Sequence, residues 1–331
     1  MTDEKTYSQM QKEFQETYYK KLSPYLKNRD DERIKKKKLV TTLKICLLSA
    51  IILFFILTRC LDITMIIFLL GVSYIIAHIL KKQFEREIKQ EIMPYICKCI
   101  GNLSWTAGEY AGDKNIFTKS NLISRYNSSI FDDIFKGHFK DTNLEIIEAK
   151  FYISENNSST IHQNNRHNRH NELYRQGNFS IRKNNKNTTF SGVIVKLTMN
   201  KNFQGNTVIK PDSIGHKSPS SKLKHTTLED VQFEKKFDVF TDDEVEARYL
   251  ITPSFMERLK NMQVAFKADK VSCAFYDKYL LVGLDTKEDL FSIGDLNQPL
   301  NDDKQFFMMF EEILSIIKLI DHFKLDQKIG M

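Results

Sequence analysis

The chain is poor in the patterns that usually announce a chemistry. It has no recognisable Ser-His-Asp arrangement, no phosphate-cradling glycine loop and no His-Glu zinc motif. Its five cysteines, Cys46, Cys60, Cys97, Cys99 and Cys273, imply no disulfide framework, which agrees with a reducing compartment. Cys97-x-Cys99 lacks the two-residue spacing of redox and zinc pairs. No basic stripe with interleaved aromatics marks a nucleic-acid surface, although the net charge is +7. Secreted disulfide scaffolds and nucleic-acid binders are thereby disfavoured. An enzyme is not, because catalytic groups can come from distant strands.

What the chain has is two apolar runs, LVTTLKICLLSAIILFFILT from Leu39 to Thr58 and LDITMIIFLLGVSYIIAHIL from Leu61 to Leu80. A helix of about 20 residues rises about 30 Å, the thickness of a bilayer's hydrocarbon core. Backbone amides in lipid must bond within their own segment, so both runs are expected to be helical. The link between them is too short to recross a bilayer, which makes the pair an antiparallel transmembrane hairpin. Arg33, Lys35, Lys36, Lys37 and Lys38 precede the first run, and Lys81 and Lys82 follow the second, whereas only Arg59 stands in the connection. The positive-inside rule then puts both termini in the cytoplasm, as a multi-pass protein of the cytoplasmic membrane. Lys44, one turn inside, is read as snorkelling back to the interface, with His78 near the same level. These lysines and Arg33 are the expected membrane-interface residues, facing a bilayer with anionic headgroups.

The rest is polar, with a mean hydropathy of −0.39 for the whole chain. Residues 1–38 read as a cytosolic helical arm broken once near Pro24, with Phe14, Tyr18, Leu22, Tyr25 and Leu26 at helical spacing. Residues 39–80 are the hairpin, and 81–101 continue it as a cytosolic stalk whose packing side carries Phe84, Ile88, Glu91, Ile92 and Tyr95. Residues 102–325 change period. Ile147, Ala149, Phe151 and Ile153 alternate, as do Val193, Val195, Leu197 and Met199, and two strands around Asp277-Lys278 form a hairpin. A last helix spans Asp303 to Phe323, with Phe306, Phe310, Ile313, Ile317 and Ile320 on one stripe and Asn301 or Asp302 as cap. Strands mixed with terminal helices give an α+β fold: a two-helix transmembrane hairpin carrying a cytosolic domain of antiparallel strands and helices.

Two polar stretches interrupt the domain. Residues 154–187 are Asn- and Ser-rich, read as a mobile loop, and hold His162, His167 and His170. Arg166 and Arg169 interleave those histidines and no cysteine accompanies them, so no metal site is assigned. Lys210 to His225 is similar and shorter. The segment Leu228 to Met262 reads as successive helix starts: Thr227 with Asp230, Thr241 with Glu244 as a capping box, and Thr252 before Pro253. The acidic run Asp242, Asp243, Glu244 and Glu246 cannot converge on one ion, because successive helical residues point apart. Glu246 with Arg248 is a candidate structural ion pair.

Three stretches carry a resemblance: FDDIFKGHFKDTNLEIIEAKFY (Phe131 to Tyr152), FSGVIVKLTMNKNFQGNTV (Phe190 to Val208) and LEDVQFEKKFDVFTDDEVEARYLITPSFMERL (from Leu228). They are similar to bacterial membrane proteins grouped as domain of unknown function 3137. The resemblance implies a bacterial inner-membrane protein with a cytosolic domain, and it brings no activity and no catalytic residues. Catalytic, cofactor-binding and metal residues are therefore all assigned as none. The expected function is a membrane-anchored binding or scaffold module engaging a protein partner or lipid headgroups, and not nucleic acid. The alternatives are a subunit of a transport or envelope-assembly complex, with Gly71, Ser73 and Ala77 as a helix-packing face, and a membrane-bound enzyme using Asp132, Asp133, Glu145 or Glu148.

Overall fold

The computed structural model describes residues 5–58, 63–139, 142–155, 185–287 and 289–322. Arg59, Cys60, the histidines at 162, 167 and 170 and the end of the C-terminal helix lie outside these.

Helix α1 (Tyr7–Thr17) starts with a capping box in which Thr6 and Gln9 satisfy each other's backbone amides. The break expected at Pro24 instead lies just before it, as a π-helical turn at Tyr18–Leu22. Proline's missing N–H is harmless at the second residue of α2 (Ser23–Thr58), where a new run of hydrogen bonds begins. The wider π turn keeps Phe14, Tyr18, Leu22 and Leu26 on one buried stripe. Helix α3 (Ile63–Ile100) passes through Pro94 without ending. Of the side expected to pack, Phe84, Ile88 and Ile92 are buried, but Glu91 and Tyr95 are exposed and Lys89, Met93 and Ile96 are buried in addition.

Along the chain then come β1 (Asn102–Ala107), α4 (Ile116–Lys119), β2 (Ser128–Phe139), β3 (Thr142–Glu155), β4 (Asn185–Thr198), β5 (Thr207–Pro211), β6 (Lys224–Thr226), α5 (Val231–Glu234), β7 (Phe237–Thr241), α6 (Glu244–Leu250), α7 (Pro253–Ala265), β8 (Lys270–Tyr276), β9 (Tyr279–Asp285) and α8 (Lys304–His322). The strands form one nine-stranded sheet in the order β1-β2-β3-β4-β9-β8-β5-β7-β6, with every neighbouring pair antiparallel. The fold is therefore mixed α+β. Residues 154–155 and 185–187, expected in a loop, extend the β3–β4 ladder down to Glu155 opposite Asn185. Polar side chains are no obstacle there, because ladder bonds come from the backbone.

Alternation sends the two faces of the sheet to different cores. One face, with Ile146, Val193, Val195 and Val282, packs under α1, α3, α7 and α8. The other, with Ile147, Ala149, Phe151 and Ile194, is covered by Tyr110, Phe117, Leu122 and Ile123 around α4. The arm closes on the C-terminal helix, where the Phe14 and Phe310 rings stack at 4.2 Å. Fully burying a side chain such as Ile88 or Ile92 is worth about 1.5–3 kcal/mol, so the stalk half of α3 is firmly docked.

The other half of α3 is not docked. Phe68 is 68% and Tyr74 72% exposed, and Leu39, Ile45, Leu48 and Ile52 of α2 are exposed with them. Among the described residues, Ile66–Ile100 is the helical segment long and apolar enough to cross a membrane.

Candidate functional site

Where the apolar halves of α2 and α3 meet the domain, they leave a cleft of about 540 Å³. Lys37, Thr41, Lys44 and Leu48 line it from α2, at spacings that share one helical face. Leu70, Tyr74, His78 and Lys81 line it from α3 in the same way, and Leu296 and Asn297 close the domain end. Basic groups thus occupy the domain-proximal turns, and Leu47, Leu48 and Leu70 the deeper ones. The Tyr74 and His78 rings stack at 6.1 Å, and Lys81 reaches Asp295 at 2.9 Å.

The eight predicted interface residues divide accordingly. Lys37, Lys44 and Lys81 line the cleft, and Lys35, Lys38 and Lys82 are exposed elsewhere. Arg33 and Lys36 are engaged inside the protein. Arg33 bonds Asp30 at 2.6 Å and the Leu296 carbonyl at 2.9 Å; Lys36 pairs with Glu87 at 2.8 Å and lies over the Phe84 ring. Lys44 and His78 read in the sequence as separate edge residues. Their shared spacing, 37-41-44 against 74-78-81, is the signal that brings them to one cleft.

A second cluster lies beneath the stalk. Register between β2 and β3 slips between Phe131 and Ile134, so Asp132 and Asp133 together oppose Glu148. The extra residue turns Asp133 onto the α3 side of the sheet, where alternation also puts Glu148. Lys89 descends from α3 to meet them; it is 5% exposed, Asp133 0% and Glu148 7%. The Lys89 ammonium lies 2.5 Å from one Asp133 oxygen, and the Trp105 indole N–H donates to the other at 2.8 Å. Glu148 Oε2 has no hydrogen-bond partner among the described residues.

One buried ammonium balances one carboxylate, so the second carboxyl must keep its proton to stay uncharged. Burial, with Asp289 and Asp133 adding to it, pushes the Glu148 carboxyl up to about 9. Burial also raises Asp133, against the pull of Lys89. Burial works to lower Lys89, but Asp133 outweighs it and holds the ammonium above the usual lysine range. Ligand atoms of Asp133, Glu148 and Asp289 lie within 4.8 Å of one another. Lys89 already supplies the cation among them.

Of the four carboxylates considered for catalysis, Asp133 and Glu148 thus converge. Glu145 is on the opposite face of β3, accepting from the Tyr110 hydroxyl at 2.6 Å and pairing with Lys196 at 3.2 Å. The acidic run serves as caps and ties. Asp243, not Thr241, caps α6 by accepting from the Glu246 amide, while Thr241 accepts from the Asp243 amide. Glu246 accepts from the Gln204 and Gly205 amides and does not pair with Arg248, which bonds Glu244 instead. A helix offers i,i+4 neighbours, which Glu244 and Arg248 are. Asp230 caps α5, and Thr252 caps α7 ahead of Pro253 as expected.

No curated protein matches the chain. Among solved structures, the crystal structure of the mycobacterial trehalose monomycolate transport factor A aligns with a TM-score of 0.32 at 6% identity, covering 66% of this chain and 88% of that one. Residues 188–325, from β4 through the last helix, match the family model described as a protein of unknown function, DUF3137, so the resemblance read from the sequence holds over that stretch.

Proposed function

We propose that the chain is a membrane-anchored binding module, with spans at 39–58 and 61–80, both soluble parts in the cytoplasm, and anionic phospholipid held in the basic cleft. The observation that carries this reading is the continuity of α3. One helix is exposed and apolar at Phe68 and Tyr74, then buried in the domain core at Ile88 and Ile92. With no linker between those parts, the nine-stranded sheet is held at a fixed pose on the bilayer. Such rigidity suits a scaffold presenting one face to a protein partner. The cleft adds chemistry to the pose: Lys37, Lys44, His78 and Lys81 match a phosphate, and the leucines below match acyl chain. The carboxylate pair supports an enzyme less well, since α3 covers Asp133 and Glu148.

Two measurements test this. A reporter fused at Arg59 is expected on the far side of the membrane from reporters at either terminus; a cytoplasmic signal there overturns the hairpin. Full-length protein extracted in mild detergent is expected to retain anionic over zwitterionic lipid by native mass spectrometry, and K37A/K44A/K81A to lose that preference. Equal retention by wild type and variant removes the cleft from the proposal.

A further inference from the structure

The second polar stretch, Lys210 to His225, folds back over the edge of the sheet and brings two histidines to one buried carboxylate. Asp238 on β7 is 1% exposed, and its Oδ2 accepts from the Ser213 amide at 3.1 Å and the Ser213 hydroxyl at 3.2 Å. Its Oδ1 is left to the imidazoles, with His216 Nδ1 at 2.5 Å and His225 Nε2 at 3.4 Å. His225 belongs to edge strand β6, and His216 follows a turn in which Gly215 and His216 both have positive φ, +84° and +42°. The rings lie 4.4 Å apart, one over the other. Lys210 is the cross-strand partner of Asp238, yet its ammonium is given to the Leu122 carbonyl. The ready-made counter-cation is thus spent elsewhere, while two metal-type nitrogens face the carboxylate.

We propose that His216, His225 and Asp238 form a divalent transition-metal site of the zinc class. The three ligand atoms lie within 4.8 Å of one another. Around tetrahedral zinc, ligand atoms sit roughly 3.3 Å apart, given metal–ligand bonds of about 2.0–2.2 Å. The His225 distance already meets that spacing. The His216 contact opens by less than 1 Å when an ion replaces the bridging proton. Two imidazoles and one carboxylate suit zinc and iron(II) better than calcium or magnesium, which take oxygen ligands. Ser213 orients the carboxylate, as partners behind metal ligands commonly do. His216 is half exposed, so the ion is reachable and its fourth position is open to water or a ligand oxygen. The ion would pin the 212–223 connection to the sheet.

Zinc binding is measured on the full chain in detergent, without a histidine tag, with His162, His167 and His170 changed to Gln so that they cannot compete. After chelation and dialysis, calorimetric titration with Zn2+ alone is expected to give one equivalent per chain. His216→Gln or His225→Gln should weaken it at least about tenfold, and the double variant should abolish it. Ser213→Ala should weaken it less than loss of either ligand. Cobalt(II) in place of zinc is expected to give the intense visible bands of a tetrahedral site. Circular dichroism checks that the double variant is folded. The proposal is overturned if the chain takes up no stoichiometric zinc, or if the folded double variant binds as tightly as its parent.

Discussion

Replacing Glu148 by glutamine should flatten the dependence of stability on pH and raise stability at neutral pH. In the folded chain this carboxyl is pushed up to about 9, against 4.5 for an ordinary glutamate. Between those values the folded state holds a proton that the unfolded state has released, so stability falls as pH rises through the interval. Below the lower value both states are protonated and the loss is absent; above the upper one it is complete. Each pH unit in the interval costs about 1.4 kcal/mol, so keeping the proton at neutral pH costs about 3 kcal/mol. Glutamine is uncharged at every pH and removes that cost. Its amide brings a buried N–H to a place where Oε2 has no partner, returning about 1–3 kcal/mol of the gain. The slope is therefore the sharper readout. Thermal unfolding of full-length wild type and E148Q in detergent, between about pH 5.5 and 8, should show the wild-type midpoint falling with pH more steeply than the variant's. Equal slopes would refute the assignment of the buried proton to Glu148.

Lys89→Met should destabilise by about 3–5 kcal/mol, because it strands Asp133 without its ammonium; K89M/D133L should recover most of this in chemical denaturation. Phe14→Ala removes the ring stacked on Phe310 and should cost about 3–5 kcal/mol, while speeding limited proteolysis within residues 5–22. Thr252→Ala removes the side chain that accepts from the Phe255 amide, and a loss of about 1 kcal/mol is expected from the same denaturation curves.

Elements whose pattern is local were legible in the sequence. The β8–β9 hairpin, the alternation in β3 and β4 and the apolar stripe of α8 follow from spacing within each segment. The sites depend on pairings the sequence does not display. Asp133 faces Glu148 because of a one-residue slip between β2 and β3, and a slip leaves no mark on composition. Lys89 looks like a solvent lysine until α3 is laid on β1, where Asp133 rewards its burial. His216 and His225 lie in a stretch whose pattern reads as polar loop, and Asp238 in a segment whose pattern reads as successive helix starts, although it forms strand β7. Only the β5–β7–β6 order, with its crossovers, makes them neighbours. Thr241 was a plausible cap by spacing, but Asp243 is nearer the first free amides of α6 and takes the role.

The arm and α8 are partners far apart in the order of synthesis, Gln11 and Glu311 being 300 residues apart. Gln11 bonds Glu311, and Phe14 lies on Phe307 and Phe310. At about 5–20 residues per second, a ribosome needs roughly 15–60 s to travel from one partner to the other. Throughout that interval the aromatic stripe of Phe14 and Tyr18 has no lid. The nascent chain must shelter it on a chaperone, on the membrane or on itself. A message truncated before α8 would release a product that keeps its apolar helices and permanently displays that stripe, the kind of species quality-control proteases remove.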